Sequence, residues 1–353
     1  MSGVSSPLLL LVFLAGAAAT WAAGILLSKT TDALDSRWGL GDDLGGLIFL
    51  SIAGTLPELA ITISAAASGN LGLAAGNLIG GIAIQTMVLL LCDFAVGPAR
   101  PLTYLVGRLT PVLEGLLVII LVTQVEMGAL LKPSTAIGGV VSPASVGIVV
   151  IWVLGLFLIN RASKDPRWSV TMPGSSPGRR RRERRRPEQP HPFAAASTTR
   201  VALLFGFASL VTLVAGVALE ESGNELANRQ GINGVIFGAT VLATASALPE
   251  ISSGIAAVKL GDHALAMGDI FGGNAFQVCL FLVADLVAGK PVLTSAGGGL
   301  NAWLGALGVA LTAIYGFGVI ARPMHTRFRL GPDSLLALAL FGLGIAGLFF
   351  IPT

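Results

Sequence analysis

Apolar runs, interrupted at short intervals by glycine, proline and charge, follow one another along almost the whole chain. Each run has the length, roughly 17 to 25 residues, that a helix needs to cross the hydrocarbon core of a bilayer. The pattern predicts ten transmembrane helices, over 7–27, 44–68, 71–97, 110–130, 134–159, 200–220, 232–258, 263–288, 300–320 and 334–351. The expected fold class is therefore an all-α integral membrane protein. Composition agrees, because only 12% of the 353 residues are charged and 54% are hydrophobic, whereas soluble domains carry roughly a quarter charged residues. No Lys or Arg precedes the first run, and it outlasts the 7 to 15 apolar residues usual in a signal peptide. It reads as a retained helix, with cleavage after Ala17–Ala19 as the alternative. Cys92 and Cys279 both fall inside predicted spans, too few thiols for a disulfide framework or a structural zinc site. Nothing in the sequence calls for a cofactor or for enzymatic chemistry.

Charge orients the ten helices. With the N-terminus outside, every Lys and Arg of the 22 except Lys132, Arg229 and Lys290 falls on the cytoplasmic side, as the positive-inside bias requires. Both termini are then outside, and the 161–199 segment is a cytoplasmic linker. It holds the run Arg179–Arg182, Glu183, Arg184–Arg186 among Pro173, Pro177, Pro187, Pro190 and Pro192, a composition that reads as disordered. Arginine at 179–186 is expected to rest on anionic lipid headgroups and set topology; no nucleic-acid partner is expected. The linker separates two membrane units, 1–160 and 200–353.

The two units are copies. A gap-free shift of 192 residues places Leu56-Pro57-Glu58 on Leu248-Pro249-Glu250, Gly80-Gly81 on Gly272-Gly273, Gln85 on Gln277 and Asp93 on Asp285. Corresponding helices are five spans apart, an odd number, so the second copy crosses the membrane in the opposite sense. The expectation is two inverted five-helix repeats, with motifs at 44–97 and 236–289. Interrupted hydrophobic segments at equivalent positions of such repeats point to a midplane substrate site and to alternating access.

Glu58 and Glu250 each sit about halfway along an apolar span, where an ionised carboxylate costs at least about 2.5 to 3.5 kcal/mol. The preceding proline removes a donor and breaks the helix, freeing carbonyl oxygens beside the carboxylate. On the partner helix Asn77, Gly81 and Gln85 recur every four residues, as do Asp269, Gly273 and Gln277, so each trio shares a face. Brought together, Glu58, Glu250, Gln85 and Gln277 with carbonyls near Gly54 and Ser246 form a set of hard oxygen donors, suited to calcium or sodium. Two carboxylates are neutralised equally by one divalent cation, two monovalent cations or two protons, which lets one site exchange them. Asn77, Asp269, Gly81, Gly273 and Asn274 are further candidates along the cation path. Asp93, Asp285 and Glu126 lie near span ends, where water makes a carboxylate cheap, and Glu114 about five residues inside its span. Glu220, Glu221 and Glu225 read as a solvated cap on the sixth span.

Gly54-Thr-Leu-Pro-Glu-Leu with Gly76-Asn-Leu-Ile-Gly-Gly, and Ser246-Ala-Leu-Pro-Glu-Ile with Gly268-Asp-Ile-Phe-Gly-Gly-Asn, resemble the two α-repeats of the sodium/calcium exchanger superfamily. The resemblance implies ten helices, calcium bound by Glu58 and Glu250 with carbonyls of Gly54 and Ser246, and sliding of the first and sixth helices across the core. Family members carry a Ser or Thr three residues before each glutamate; here these are Thr55 and Ala247. The family's Gly-Ser-Asn is Gly80-Gly81-Ile82 and Gly272-Gly273-Asn274, and its following Asn or Asp is Gln85 and Gln277. The lost hydroxyls fall where sodium-coupled members line their sodium sites. The expected function is thus an antiporter of calcium, or a related divalent cation, against protons, with sodium-driven exchange as the alternative. A cation channel and a non-transporting membrane protein are the other classes weighed. Richness in Ala, Gly and Arg points to a GC-rich prokaryote and hence its plasma membrane.

Overall fold

A computed structural model describes residues 3–38, 46–164, 193, 195–295 and 298–351. The arginines at 179–186 and most of the expected linker lie outside these residues. Among the described residues the regular structure is helical, apart from two isolated bridges, Ile137 with Val141 and Arg327 with Leu330.

Among the described residues eight helices are each long and apolar enough to cross a bilayer: Ser6–Trp38, Leu71–Val96, Thr110–Ala129, Pro143–Lys164, Thr198–Arg229, His263–Ala288, Gly299–Ala321 and Pro332–Phe350. The seventh span is a broken pair, Gly234–Ser246 and Leu248–Leu260, bent by 45°. Its repeat counterpart, the second span, breaks at the same place into Gly46–Gly54 and Leu56–Ala67. Counting both broken pairs, the described residues give ten spans, with Pro57 and Pro249 in the first turn of the second piece of each broken one.

Three boundaries differ from expectation. The first and sixth helices continue well past 27 and 220, to Trp38 and Arg229. Their polar continuations end the hydropathy signal without ending the helix, and the Thr30 hydroxyl folds back onto the Leu26 carbonyl at 2.8 Å. The fifth span begins at Pro143 instead of 134, because Pro133–Thr135 forms a 3-10 turn and Gly138 and Gly139 take φ of 61° and 76°, in the left-handed region that favours glycine.

The first and sixth helices lie side by side. Arg37 donates to the carbonyls of Phe193 and Ala196, both at 2.8 Å, so those helix ends share one side of the membrane, called here the linker side. The second, third, seventh and eighth spans form the centre. At the crossing of the third and seventh spans, a Cβ on Gly76 would stand 2.6 Å from the Val235 carbonyl oxygen, and one on Gly80 would collide with Ala239. Only glycine allows that approach, the usual route to tight helix contact in lipid. The seventh helix takes a π turn over Gly238–Leu242 at this crossing.

Asp93 and Asp285 are fully buried rather than water-exposed. Asp93 accepts from the backbone N–H of Leu102 at 2.6 Å and of Gly331 at 2.7 Å. Asp285 accepts from Val292 at 2.7 Å and Ser142 at 2.9 Å. Each acid ends a span of its own repeat while pinning the start of the last span of the other. Glu220, expected to be solvated, is 1% exposed, with the Ser64 hydroxyl donating to it at 2.7 Å.

Candidate cation site

The geometry of the site follows from the two breaks. In an unbroken helix the Glu58 N–H would return to the Gly54 carbonyl. Instead the bonds across the break run from Thr55 N–H to the Ser51 carbonyl (3.1 Å) and from Leu59 N–H to the Thr55 carbonyl (2.9 Å). The second repeat does the same. Ala247 N–H reaches the Ala243 carbonyl at 3.0 Å and Ile251 N–H the Ala247 carbonyl at 3.2 Å. The carbonyls of Gly54 and Ser246 are thereby released, one in each repeat.

The repeats then cross. The Glu250 carboxylate lies beside Gly54, 3.7 Å from where a Cβ on that glycine would be. The Ser246 hydroxyl sits between the Ala243 carbonyl, 3.2 Å away, and the Glu58 carboxylate. Each glutamate thus faces the break of the other repeat, and the two carboxylates sense each other's charge. Glu58 is fully buried and Glu250 is 8% exposed. Gln85 donates to Glu58 Oε1 at 2.9 Å, which steers the other oxygen. Glu58 Oε2 and Glu250 Oε2 have no hydrogen-bond partner among the described residues.

Glu58, Glu250, Gly54, Ser246 and Gln85 are brought together as expected. Gln277 is not equivalent to Gln85. Its amide donates to the Leu78 carbonyl at 2.8 Å, and its Nε2 occupies the space a Cβ on Gly81 would need. The reason is the third span's glycine, which leaves room for the amide to cross to main chain instead of reaching Glu250. Thr55 also points away, its hydroxyl donating to the Ser51 carbonyl at 3.0 Å. Asn274 donates to Thr86 at 3.1 Å, Gly273 borders open space, and Asn77 is buried with neither side-chain polar atom partnered. Asp269 accepts from Ser253 at 2.8 Å.

A narrow cleft of about 20 Å³, room for roughly one water-sized particle, leads to Glu250 from the linker side. Ser28, Thr212, Ser253 and Asp269 line it with Gly54 and Glu250. Ser28, Thr212 and Ser253 are absent from the expected site. Their only trace in the sequence is a small hydroxyl in an apolar run, a common packing residue. Among the described residues no three His, Cys, Asp or Glu side chains converge as a metal cage, so a bound cation would take its oxygens from two carboxylates, carbonyls and amides together.

Residues 8–159 and 200–351 match the family profile described as sodium/calcium exchanger protein. The inner membrane protein YrbG of Escherichia coli is 26% identical over 254 residues, 71% of this chain and 69% of that protein. CaxA of Alkalimonas amylolytica, named a putative antiporter, is 23% identical over 259 residues, 73% of this chain and 74% of its own. Among solved structures, the H+/Ca2+ exchanger CAX superposes with a TM-score of 0.68 at 15% identity, covering 98% of this chain and 82% of that one. The sodium-calcium exchanger NCX_Mj superposes with a TM-score of 0.60 at 15% identity, covering 97% and 99%. These likenesses establish the shared fold.

Proposed function

Because the chain belongs to the sodium/calcium exchanger protein family, we propose that it exchanges Ca2+, or a related divalent cation, for protons across a prokaryotic plasma membrane. The reading rests above all on the crossed pair, Glu58 and Glu250, each buried beside a released carbonyl and each keeping one unpartnered oxygen. Two uncompensated carboxylates in a low dielectric demand neutralisation. One divalent ion supplies it, and so do two protons. The empty, doubly charged pair is too costly to carry across, which couples the two fluxes.

Protons rather than sodium are favoured as counter-ion because the hydroxyls are missing or spent. Ala247, Gly81 and Gly273 bear none, and Thr55 uses its own on its helix backbone. In this reading Glu58, Glu250, the Gly54 and Ser246 carbonyls and Gln85 hold the ion, and Gln277 positions the third span. The units 1–160 and 200–353 work as the two repeats. The linker lies in the cytoplasm, where its arginines meet anionic lipid, as the distribution of Lys and Arg supports.

The test is calcium uptake into proteoliposomes under an outward proton gradient or, separately, an outward sodium gradient. Native protein should take up calcium with the proton gradient, and Glu58→Gln and Glu250→Gln should each abolish it. Losing one of two facing charges on a divalent ion removes several kcal/mol of attraction at an effective dielectric near 20. Sodium-driven uptake would overturn the choice of proton, and uptake that survives either substitution would overturn the site.

A further inference from the structure

The repeats are alike around the two glutamates but not one step away from them. In the second repeat Asp269 lies on the linker side of Glu250, hydrogen-bonded by Ser253. The corresponding positions of the first repeat, 192 residues earlier, are Asn77 and Ile61, with neither charge nor hydroxyl. The acidic groups whose charges reach Asp269 come from three other spans: Asp32 on the first, Glu114 on the fourth and Glu250 on the seventh. No Lys, Arg or His pairs with Asp269, Glu114 or Glu250 among the described residues.

Two further observations point to a ligand in the same cleft. Thr212 lines it from the sixth span, is fully buried, and its hydroxyl has no partner. Glu250 lines it from the seventh, more than nine-tenths buried, with Oε2 likewise unpartnered. A buried hydroxyl and a buried carboxylate oxygen left unmatched are expensive, and a cation between them and Asp269 would satisfy all three. Charge, size and donor type agree, because the cleft admits one small particle and the polar side chains among its lining, Ser28, Thr212, Glu250, Ser253 and Asp269, offer oxygen.

We propose that this cleft is a second cation station, on the linker side only, where Asp269, Ser253, Thr212 and Glu250 Oε2 hold a metal cation one step before the midplane pair. The station makes the two faces of the transporter chemically unequal although the fold is symmetric: a cation arriving from the linker side meets a carboxylate early, and one arriving from the other side meets Asn77. The inference rests on the reading of Glu250 as a cation ligand.

Terbium, a luminescent trivalent substitute for calcium, tests it on the purified full chain. Trp21 donates a hydrogen bond to Ser252, the neighbour of Ser253, and is placed to sensitise an ion in the cleft. Glu58→Gln disables the midplane pair and leaves the cleft lining intact; Asp269→Asn restores the residue type found at the repeat counterpart. The Glu58→Gln protein should retain a Trp-sensitised terbium site that calcium displaces, and adding Asp269→Asn should weaken that site by about tenfold or more, the effect of removing one close opposite charge. Melting temperatures of the two proteins serve as the folding control. Equal terbium affinity in the single and double variants, or no site in Glu58→Gln, would overturn the station. Absence of calcium exchange by the native protein in liposomes, with the terbium result as expected, would instead remove the antiport reading and leave the station standing.

Discussion

Gly24 of the first span packs against Pro249, the residue before Glu250, so closely that a Cβ at position 24 would overlap the proline ring and lie 3.3 Å from its Cα. Gly24→Ala adds that one carbon. The ring cannot swing aside as a flexible side chain would, so the helices must part, a strain of about 1 to 3 kcal/mol. The cost falls only on conformations in which the first span sits on Pro249. If that span slides across the core during transport, the variant shifts the balance between states by roughly 5- to 150-fold. Calcium exchange should slow by a similar factor, while calcium affinity measured at equilibrium in detergent changes far less. The inverted repeat supplies a control. Gly216, 192 residues later, meets the first repeat's break, where a Cβ would lie 2.6 Å from that of Ala60 and 3.0 Å from the Pro57 carbonyl oxygen. Gly216→Ala should slow exchange as well. Native exchange rates in both variants would refute the idea that these two glycine contacts carry the moving interface.

Two further outcomes are expected. Asp93→Ala and Asp285→Ala each strand two buried N–H groups, at about 1 to 3 kcal/mol per group, so both should melt markedly earlier in detergent, with Asn intermediate; a native melting temperature with lost exchange would mean that these acids serve transport instead of structure. Ser64→Ala removes the hydrogen bond to Glu220, worth about 1.5 to 3 kcal/mol to a charged acceptor, and should speed amide hydrogen exchange over 56–67; unchanged exchange there would show that the bond does not hold the second and sixth spans together.

Much of this architecture is legible in the chain alone. Paired Pro-Glu motifs 192 residues apart impose the repeat, its inversion and the two broken spans, because a proline directly before an acid in an apolar run breaks the helix where the carboxylate is most costly. Gln85 is legible for the same reason, through its place on the partner helix. Gln277 is not, since repeat symmetry predicts equal roles for the two glutamines, whereas the hole opposite Gly81 is a property of packing. Asp93 and Asp285 look like cheap, water-facing acids in sequence because two of their partners, Gly331 and Ser142, lie more than a hundred positions away. Glu220 looks like a cap because a hydropathy run stops at the first cluster of charges, while the helix that carries them continues.

The reciprocal bonds have a bearing on how such a chain could have arisen. Asp93 of the first half closes on Gly331 of the second, and Asp285 of the second on Ser142 of the first; Ser246 attends Glu58 and Gly54 attends Glu250. Each of these donors and acceptors would lose a partner in a lone half. A single-copy ancestor could fill them only by meeting a second copy inserted upside down, so dual insertion would have been a condition of its folding. Joining the copies into one chain turned that encounter into an intramolecular one, at the far higher effective concentration a tether provides. It also freed the halves to diverge, and Asp269 opposite Asn77 is a difference that a pair of identical subunits could not have kept.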